Sequence, residues 1–271
     1  FMASFPHLID VGVMGHCLYG KTGLCVKAGI GCYQSGLVIE QPNMTIENFN
    51  WIAKQCKGRT NQIALGGRGD TDQHENFEEM LKICRKNMLV PNFTTSGYGM
   101  TPDIAKICKK YCEAVAVSWY RSEYTMRAIQ MLTDAGVKTN IHYLLGNNSI
   151  DEAIDRLRNN DFPKGINAVI FLLHKPARLG TKENVLTSDD SRVEDFFKEM
   201  DKIRPFKVGM DSCNVPGAVN YCKKILPQSL DTCEGGRYNC YIGADMVMVP
   251  CSFDRQGEYA VSLKNISIEE A

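Results

Sequence analysis

The 271-residue chain has no excess of either charge: 31 Lys and Arg stand against 31 Asp and Glu, a formal net of zero. A broad basic face for nucleic acid, or an anchor for an acidic membrane surface, is therefore not expected, and a small or peptide ligand is easier to accommodate. The chain also lacks any apolar run approaching the roughly 20 residues that cross a bilayer, and its amino terminus has no basic segment leading into an apolar stretch. These absences read as a soluble, cytoplasmic protein with neither a nucleic-acid nor a membrane partner. Pairs of cysteines separated by two residues, the usual spacing of structural zinc sites, are missing as well.

Cysteine itself is plentiful, at 12 residues. In a reducing compartment these are not expected to be disulfides, and clusters of them more often ligate metal. The sequons at Asn43, Asn92, Asn147 and Asn265 are then chance matches. With 44% apolar residues the chain can bury a large core. Phe1 precedes Met2 with little lead-in, and the chain stops inside an apparently helical start at residues 268–271, which suggests a piece of something longer.

Short β-rich runs alternate with longer amphipathic stretches, the pattern of βαβ units and a parallel sheet. The strands are expected at Leu8–Val13, Gln62–Gly66, Val90–Thr94, Ala114–Ser118, Lys138–Leu145 and Ala168–Leu173. Helices are expected at Thr45–Cys56, Asn76–Lys86, Thr101–Tyr111, Ser122–Ala135, Ser149–Asn159 and Ser191–Ile203, with start signals at Thr101-Pro102 and in a capping box of Ser149 with Glu152. Six repeats fall short of a closed eight-fold barrel, so the expected fold is α/β, a partial (β/α)6 barrel, with a doubly wound sheet as the alternative. A last strand-like segment follows at Pro205–Asp211. Residues 1–208 would form the barrel, and residues 209–271 a small Cys-rich β-hairpin appendage that includes a β-like run at Met246–Val249.

After the first strand come Cys17, Cys25 and Cys32, among glycines at 12, 15, 20, 23, 29, 31 and 36 that let the chain wrap closely around something. Reactive groups in parallel α/β proteins collect at the carboxyl ends of strands. Three thiolates could bind three irons of a [4Fe–4S] cube and leave the fourth iron for a small molecule. A structural zinc site or inert thiols are the plainer alternatives. Cys56, Cys84, Cys108 and Cys112 lie on expected helices among apolar neighbours and read as small core residues.

Three cysteines after a strand, closed by the aromatic Cys32-Tyr33, resemble the cluster loop of radical S-adenosylmethionine (radical SAM) enzymes. The usual spacing there is three residues and then two; here it is seven and then six. The strand end Gly66-Gly67-Arg68-Gly69-Asp70 resembles the family's Gly-Gly-Glu segment, which holds the methionyl amino group of S-adenosyl-L-methionine. The resemblance implies that Tyr33, Gly66, Gly67, Gly69 and Asp70, with Ser118, Asn140 and His142 on later strands, contact that cofactor. His142 on an otherwise apolar strand reads equally as a hydrogen-bonded core histidine.

In the tail, Cys233 and Cys240 lead to Asp245-Met246-Val247-Met248-Val249-Pro250-Cys251, which resembles the start of a SPASM or twitch extension holding an auxiliary iron–sulfur cluster. Met246 stands where the family has a turn glycine. By that resemblance Cys213, ahead of Cys222, joins Cys233, Cys240 and Cys251 as ligands, with a zinc ribbon as the alternative. The implied activity is one-electron cleavage of S-adenosylmethionine to methionine and a 5′-deoxyadenosyl radical that removes hydrogen from a substrate. A peptide or protein side chain is the expected substrate, and a low-potential reductant such as flavodoxin or ferredoxin the expected partner. A small-molecule radical SAM dehydrogenase and a non-catalytic metal-stabilised scaffold are the alternatives.

Overall fold

The computed structural model describes residues 4–34, 39–254 and 257–271. Seven parallel strands follow one another in order across a sheet: β1 (Leu8–Met14), β2 (Gln62–Gly67), β3 (Val90–Thr95), β4 (Ala114–Ser118), β5 (Lys138–Leu145), β6 (Ala168–Leu173) and β7 (Lys207–Met210). Between them run α1 (Leu24–Lys27), α2 (Ile46–Cys56), α3 (Phe77–Lys86), α4 (Pro102–Tyr111), α5 (Glu123–Asp134), α6 (Ile150–Asn159) and α7 (Ser191–Met200); α8 (Val215–Tyr221) follows β7. A doubly wound sheet reverses its strand order at a switch point. Here the order runs straight from β1 to β7, as in a barrel.

The sheet does not end at β1. Beyond it come β8 (Asn239–Ile242), parallel to β1, then β9 (Val247–Val249) and β10 (Val261–Ser262), each antiparallel to its predecessor, so β7 and β10 are the edges of an open barrel. Periodicity within residues 239–242 could not reveal this parallel partner, because pairing with β1 is a contact across more than 200 residues.

Local chemistry sets the elements. Thr45 Oγ1 accepts from the Asn48 N–H at 3.2 Å, Thr101 from Ile104 and Ser122 from Thr125, each satisfying a donor that the first helical turn leaves free. The capping box expected at Ser149 is not formed: its hydroxyl donates to the Leu144 carbonyl at 2.8 Å and accepts from the Gly146 N–H at 3.0 Å. Glu152 is drawn instead to Arg121 and Arg156. The tight β5–α6 turn takes the serine, and two guanidinium groups outbid a single backbone N–H for the carboxylate.

Alternation in β5 divides the molecule into two environments. Thr139, Ile141, Tyr143 and Leu145 are buried, while Asn140, His142 and Leu144 on the other face are only partly so. The buried face belongs to the core shared with the helices, where Phe171 meets Phe196 edge-on at 4.9 Å. Burying each such side chain contributes about 1.5–3 kcal/mol. Cys56, Cys84 and Cys108 lie fully within this core, as expected, whereas Cys112, just past the end of α4, is only partly buried.

Candidate active site

The cysteine loop leaves the carboxyl end of β1, turns through Gly20–Thr22 and α1, and returns at Cys32. Its three cysteines are all partly exposed, and Gly36, further along, lies outside the described residues. Burial pushes the Cys17 thiol up to about 11, and the negative charges of Asp70 and Cys25 act in the same direction. Cys25 is raised for the same first reason, with Cys32 and Asp70 adding to it. Cys17 therefore senses Cys25, and Cys25 senses Cys32, along the loop. A positive centre that accepts all three thiolates would relieve this repulsion, since thiolates and not thiols are the metal-binding form. A cube binds one thiolate per iron corner, so its ligands surround it. Among the described residues, no three His, Cys, Asp or Glu side chains converge to hold a single ion.

The Gly-rich turn after β2 fits against this loop. A Cβ on Gly69 would come within 2.7 Å of the His16 carbonyl and 3.2 Å of Cys17 Cα, and Gly67, at φ +118°, would place one 2.7 Å from the Met14 carbonyl. Only glycine allows that approach. A Cβ on Gly66 would meet nothing within 4 Å among the described residues, so its face borders open space. Beyond the turn, Asp70 is partly buried and accepts from the Ser96 N–H at 2.8 Å and from the Ser96 hydroxyl. Burial, and then the neighbouring Asp72, push its carboxyl up to about 7. Asp72 is likewise raised by burial. An organic cation would find here a carboxylate with hydrogen bonds and, among the described residues, no cationic partner.

Residues that the sequence pattern did not single out complete this wall. The Tyr19 hydroxyl donates to Gln73 Oε1 at 2.8 Å, and Gln73 Nε2 donates to Asp72 Oδ2 at 2.8 Å. Tyr19 packs edge-on against Tyr98 at 4.6 Å, and Tyr98 against Tyr124 at 5.3 Å. The Tyr120 hydroxyl lies 3.4 Å from Cys25 Sγ. Only a position just past a strand end hinted at any of these, and that signal is too common to select them.

The remaining residues expected at the cofactor are spread along the partly buried face. Ser118 and His142 are register partners across β4 and β5. His142 Nδ1 meets the Thr94 hydroxyl at 3.2 Å, and burial lowers its pKa to about 4, which keeps the ring neutral. Asn140 sits one pleat deeper, where its carbonyl oxygen accepts from Asn167 Nδ2 at 2.7 Å. Tyr33 is about a third exposed and stacks on Phe253 with 4.4 Å between centroids.

That stack joins the loop to the tail cysteines. Cys213, Cys233 and Cys251 are exposed. Cys213 feels the charge of Cys233, and a Cβ on Gly235 would lie 3.7 Å from Cys251 Cβ, so these three occupy neighbouring turns. Lys175 binds Asp211 at 2.6 Å and lies 4.7 Å from the centre of the Phe253 ring. The structure does not bring Cys240 to this group. It is paired with Ile9 on the helix-facing side of β8, buried and close enough to Cys56 and Asp10 to feel their charge. Cys222 lies against α7, its thiol donating to the Phe197 carbonyl at 3.5 Å. Met246 adopts φ +63°, the left-handed conformation for which a glycine is suited.

Neither a protein-family model nor a curated protein matches the sequence. Solved structures do resemble it. SuiB of Streptococcus suis bound to S-adenosylmethionine is 12% identical with a TM-score of 0.67, over 92% of this chain and 61% of SuiB. SuiB bound to the precursor peptide SuiA superposes with a TM-score of 0.65 at 12% identity, over 92% of this chain and 60% of SuiB. The anSMEcpe structure with bound AdoMet and the Cp18Cys peptide is 14% identical with a TM-score of 0.68, over 98% of this chain and 78% of that one. The chain therefore spans about three fifths of SuiB. No helix among the described residues is long and apolar enough to cross a membrane. The straight strand order, the glycine-lined cysteine loop and these superpositions agree on one architecture: the chain has the radical SAM barrel fold.

Proposed function

We propose that this chain is a radical SAM enzyme acting on a peptide or protein substrate in a reducing, cytoplasmic setting. The observation that carries the reading is the placement of Cys17, Cys25 and Cys32 on one loop at the carboxyl end of β1, with Gly69 packed against Cys17 and Asp70 just beyond it. These three thiolates would hold a [4Fe–4S] cluster with one iron open, and when bound it supplies the electron that splits S-adenosylmethionine to methionine and a 5′-deoxyadenosyl radical. The protein's own residues bind and orient. Asp70 offers a carboxylate to the methionyl ammonium, Gly66 leaves room for the cofactor, and the neutral His142 with Ser118 offers hydrogen bonds within the barrel.

The peptide part of the proposal draws on SuiB, which binds the precursor peptide SuiA, and on anSMEcpe, which binds the Cp18Cys peptide. An auxiliary iron–sulfur cluster on Cys213, Cys233 and Cys251 is part of the same reading, with flavodoxin or ferredoxin as the electron donor. Anaerobic reconstitution tests it: the chain should bind about four to eight irons and release 5′-deoxyadenosine from S-adenosylmethionine under dithionite. Cys25→Ala should abolish that release. Full cleavage by Cys25→Ala, or a colourless protein that takes up zinc alone, would sink the proposal in favour of a metal-stabilised scaffold.

A further inference from the structure

Tyr120 is held in place more firmly than a loop residue needs to be. Its N–H donates to the Ser118 carbonyl at 2.9 Å, and the N–H of the preceding Trp119 donates to the His142 carbonyl at 2.9 Å, carrying the β4–β5 ladder past the strand end. On its other side Arg121 takes φ +58°, a conformation costly for a residue with a side chain. One carboxylate grips both neighbours. Glu152 of α6 accepts from Arg121 Nε at 2.5 Å and from Trp119 Nε1 at 3.4 Å, and it is itself steadied by Arg156 at 2.6 Å and the Tyr143 hydroxyl at 3.1 Å. Trp119 is buried, with the Arg156 guanidinium 5.0 Å from the centre of its ring. With both flanking side chains bonded to Glu152 of α6, the Tyr120 ring is left on the side of the cysteine loop, its hydroxyl 3.4 Å from Cys25 Sγ.

From this geometry we infer that Tyr120 donates a hydrogen bond to the Cys25 sulfur and thereby sets how easily the cluster there is reduced, with Glu152 as the positioning residue that aims it. The inference rests on the proposed function. A thiolate bound to iron can only accept, so the shared contact then has one direction, from the phenol to sulfur. Reduction adds one electron, from a low-potential donor such as dithionite or a reduced flavodoxin, and makes the site more negative. A hydrogen bond to sulfur stabilises that state more than the oxidised one and raises the potential. The Arg121–Glu152–Arg156 network, which an exposed ion-pair tally would dismiss as a surface feature, thereby gains a use: it fixes the backbone on either side of one hydroxyl.

The test uses the full chain, reconstituted anaerobically, as wild type, Tyr120→Phe and Glu152→Gln. Iron per chain is measured first. The midpoint potential is then read from the electron paramagnetic signal that changes on adding S-adenosylmethionine, which isolates the first cluster from any auxiliary one. Tyr120→Phe should keep its iron and show a more negative midpoint. Its 5′-deoxyadenosine formation should fall about ten-fold or more with a weak donor, and by less with excess dithionite. Glu152→Gln should shift the midpoint the same way by a smaller amount, with its phenol intact but less firmly aimed. An unchanged midpoint in Tyr120→Phe, or loss of the first cluster's iron from it, overturns the tuning role. A wild type with no such responsive signal overturns the proposed function as well.

Discussion

The Asp70 carboxylate accepts from both the backbone N–H and the hydroxyl of Ser96, so the end of β2 is tied to the end of β3 through a group that has no cationic partner among the described residues. This bond bridges the Gly-rich turn and the next strand at the level of the cysteine loop. It also makes Asp70 a reporter of whether a cation is bound.

In the ligand-free protein burial raises Asp70 to about 7, and Asp10, also raised by burial, to about 6. Both therefore hold a proton in the folded chain at pH values where the unfolded chain, with carboxyls near about 4, has released it. The contribution of these two carboxyls to stability therefore falls as pH rises from about 4 towards about 7, while His142, lowered to about 4, contributes in the opposite direction. Asp70→Asn should flatten part of that fall, seen as a smaller drop in the urea midpoint between about pH 5 and about pH 7. Binding a cationic ligand beside Asp70 should release a proton in the same window, detectable by calorimetry in buffers of different ionisation enthalpy. An equally steep decline in Asp70→Asn would remove Asp70 from that role.

The barrel was legible because each of its elements is local. Alternation along Lys138–Leu145 and the cap at Thr101 declare themselves within a few residues, and the structure keeps those bounds to within a residue or two. What the sequence hid depends on distant partners. β8 is too short to announce a parallel neighbour, and its pairing with β1 turns Cys240 to the helix side, which a list of cysteine spacings does not contain. Tyr120 was hidden for a related reason: its importance lies in Cys25, 95 residues away, and in Glu152, which the local pattern assigned to a capping box.

The glycines after β2 separate space from strain. Gly66→Ala adds a methyl group that meets no atom of the described residues within 4 Å, so the fold should tolerate it within about 0.5 kcal/mol. If that open space receives S-adenosylmethionine, the same variant should bind it at least about ten-fold more weakly, a cost of about 1.4 kcal/mol. Gly67→Ala forces a side chain onto a residue at φ +118° and against the Met14 carbonyl. It should cost about 1–3 kcal/mol in unfolding by urea, whatever it does to binding.

The tail cysteines should divide by environment. Cys251→Ala, at an exposed position, should lower the iron content of the reconstituted chain while altering the stability of the metal-free chain by less than about 0.5 kcal/mol. Cys240→Ala removes a buried sulfur from the core beside Cys56 and should cost about 1–2 kcal/mol with iron content unchanged. Loss of iron from Cys240→Ala at wild-type stability would instead place Cys240 among the ligands.

Asp211 joins the ends of β6 and β7. One carboxylate oxygen accepts from Lys175 Nζ at 2.6 Å and from the Leu173 N–H at 3.1 Å, while the other accepts from Asn214 Nδ2 at 2.8 Å. Lys175 also reaches the Leu173 carbonyl at 3.0 Å, the Phe253 ring and the Cys213 thiol. Asp211→Ala therefore strands a backbone donor, an amide and an ammonium together, and should cost about 2–3 kcal/mol, whereas Lys175→Met keeps the ring contact and should cost about 1 kcal/mol. Urea unfolding of both single variants and the double variant gives the coupling between them. Because the pair is partly exposed, with side chains 21% and 19% accessible, that coupling should stay near about 1 kcal/mol. Equal losses in the two single variants would mean that the ion pair, and not the bonds Asp211 makes to Leu173 and Asn214, holds this corner of the barrel.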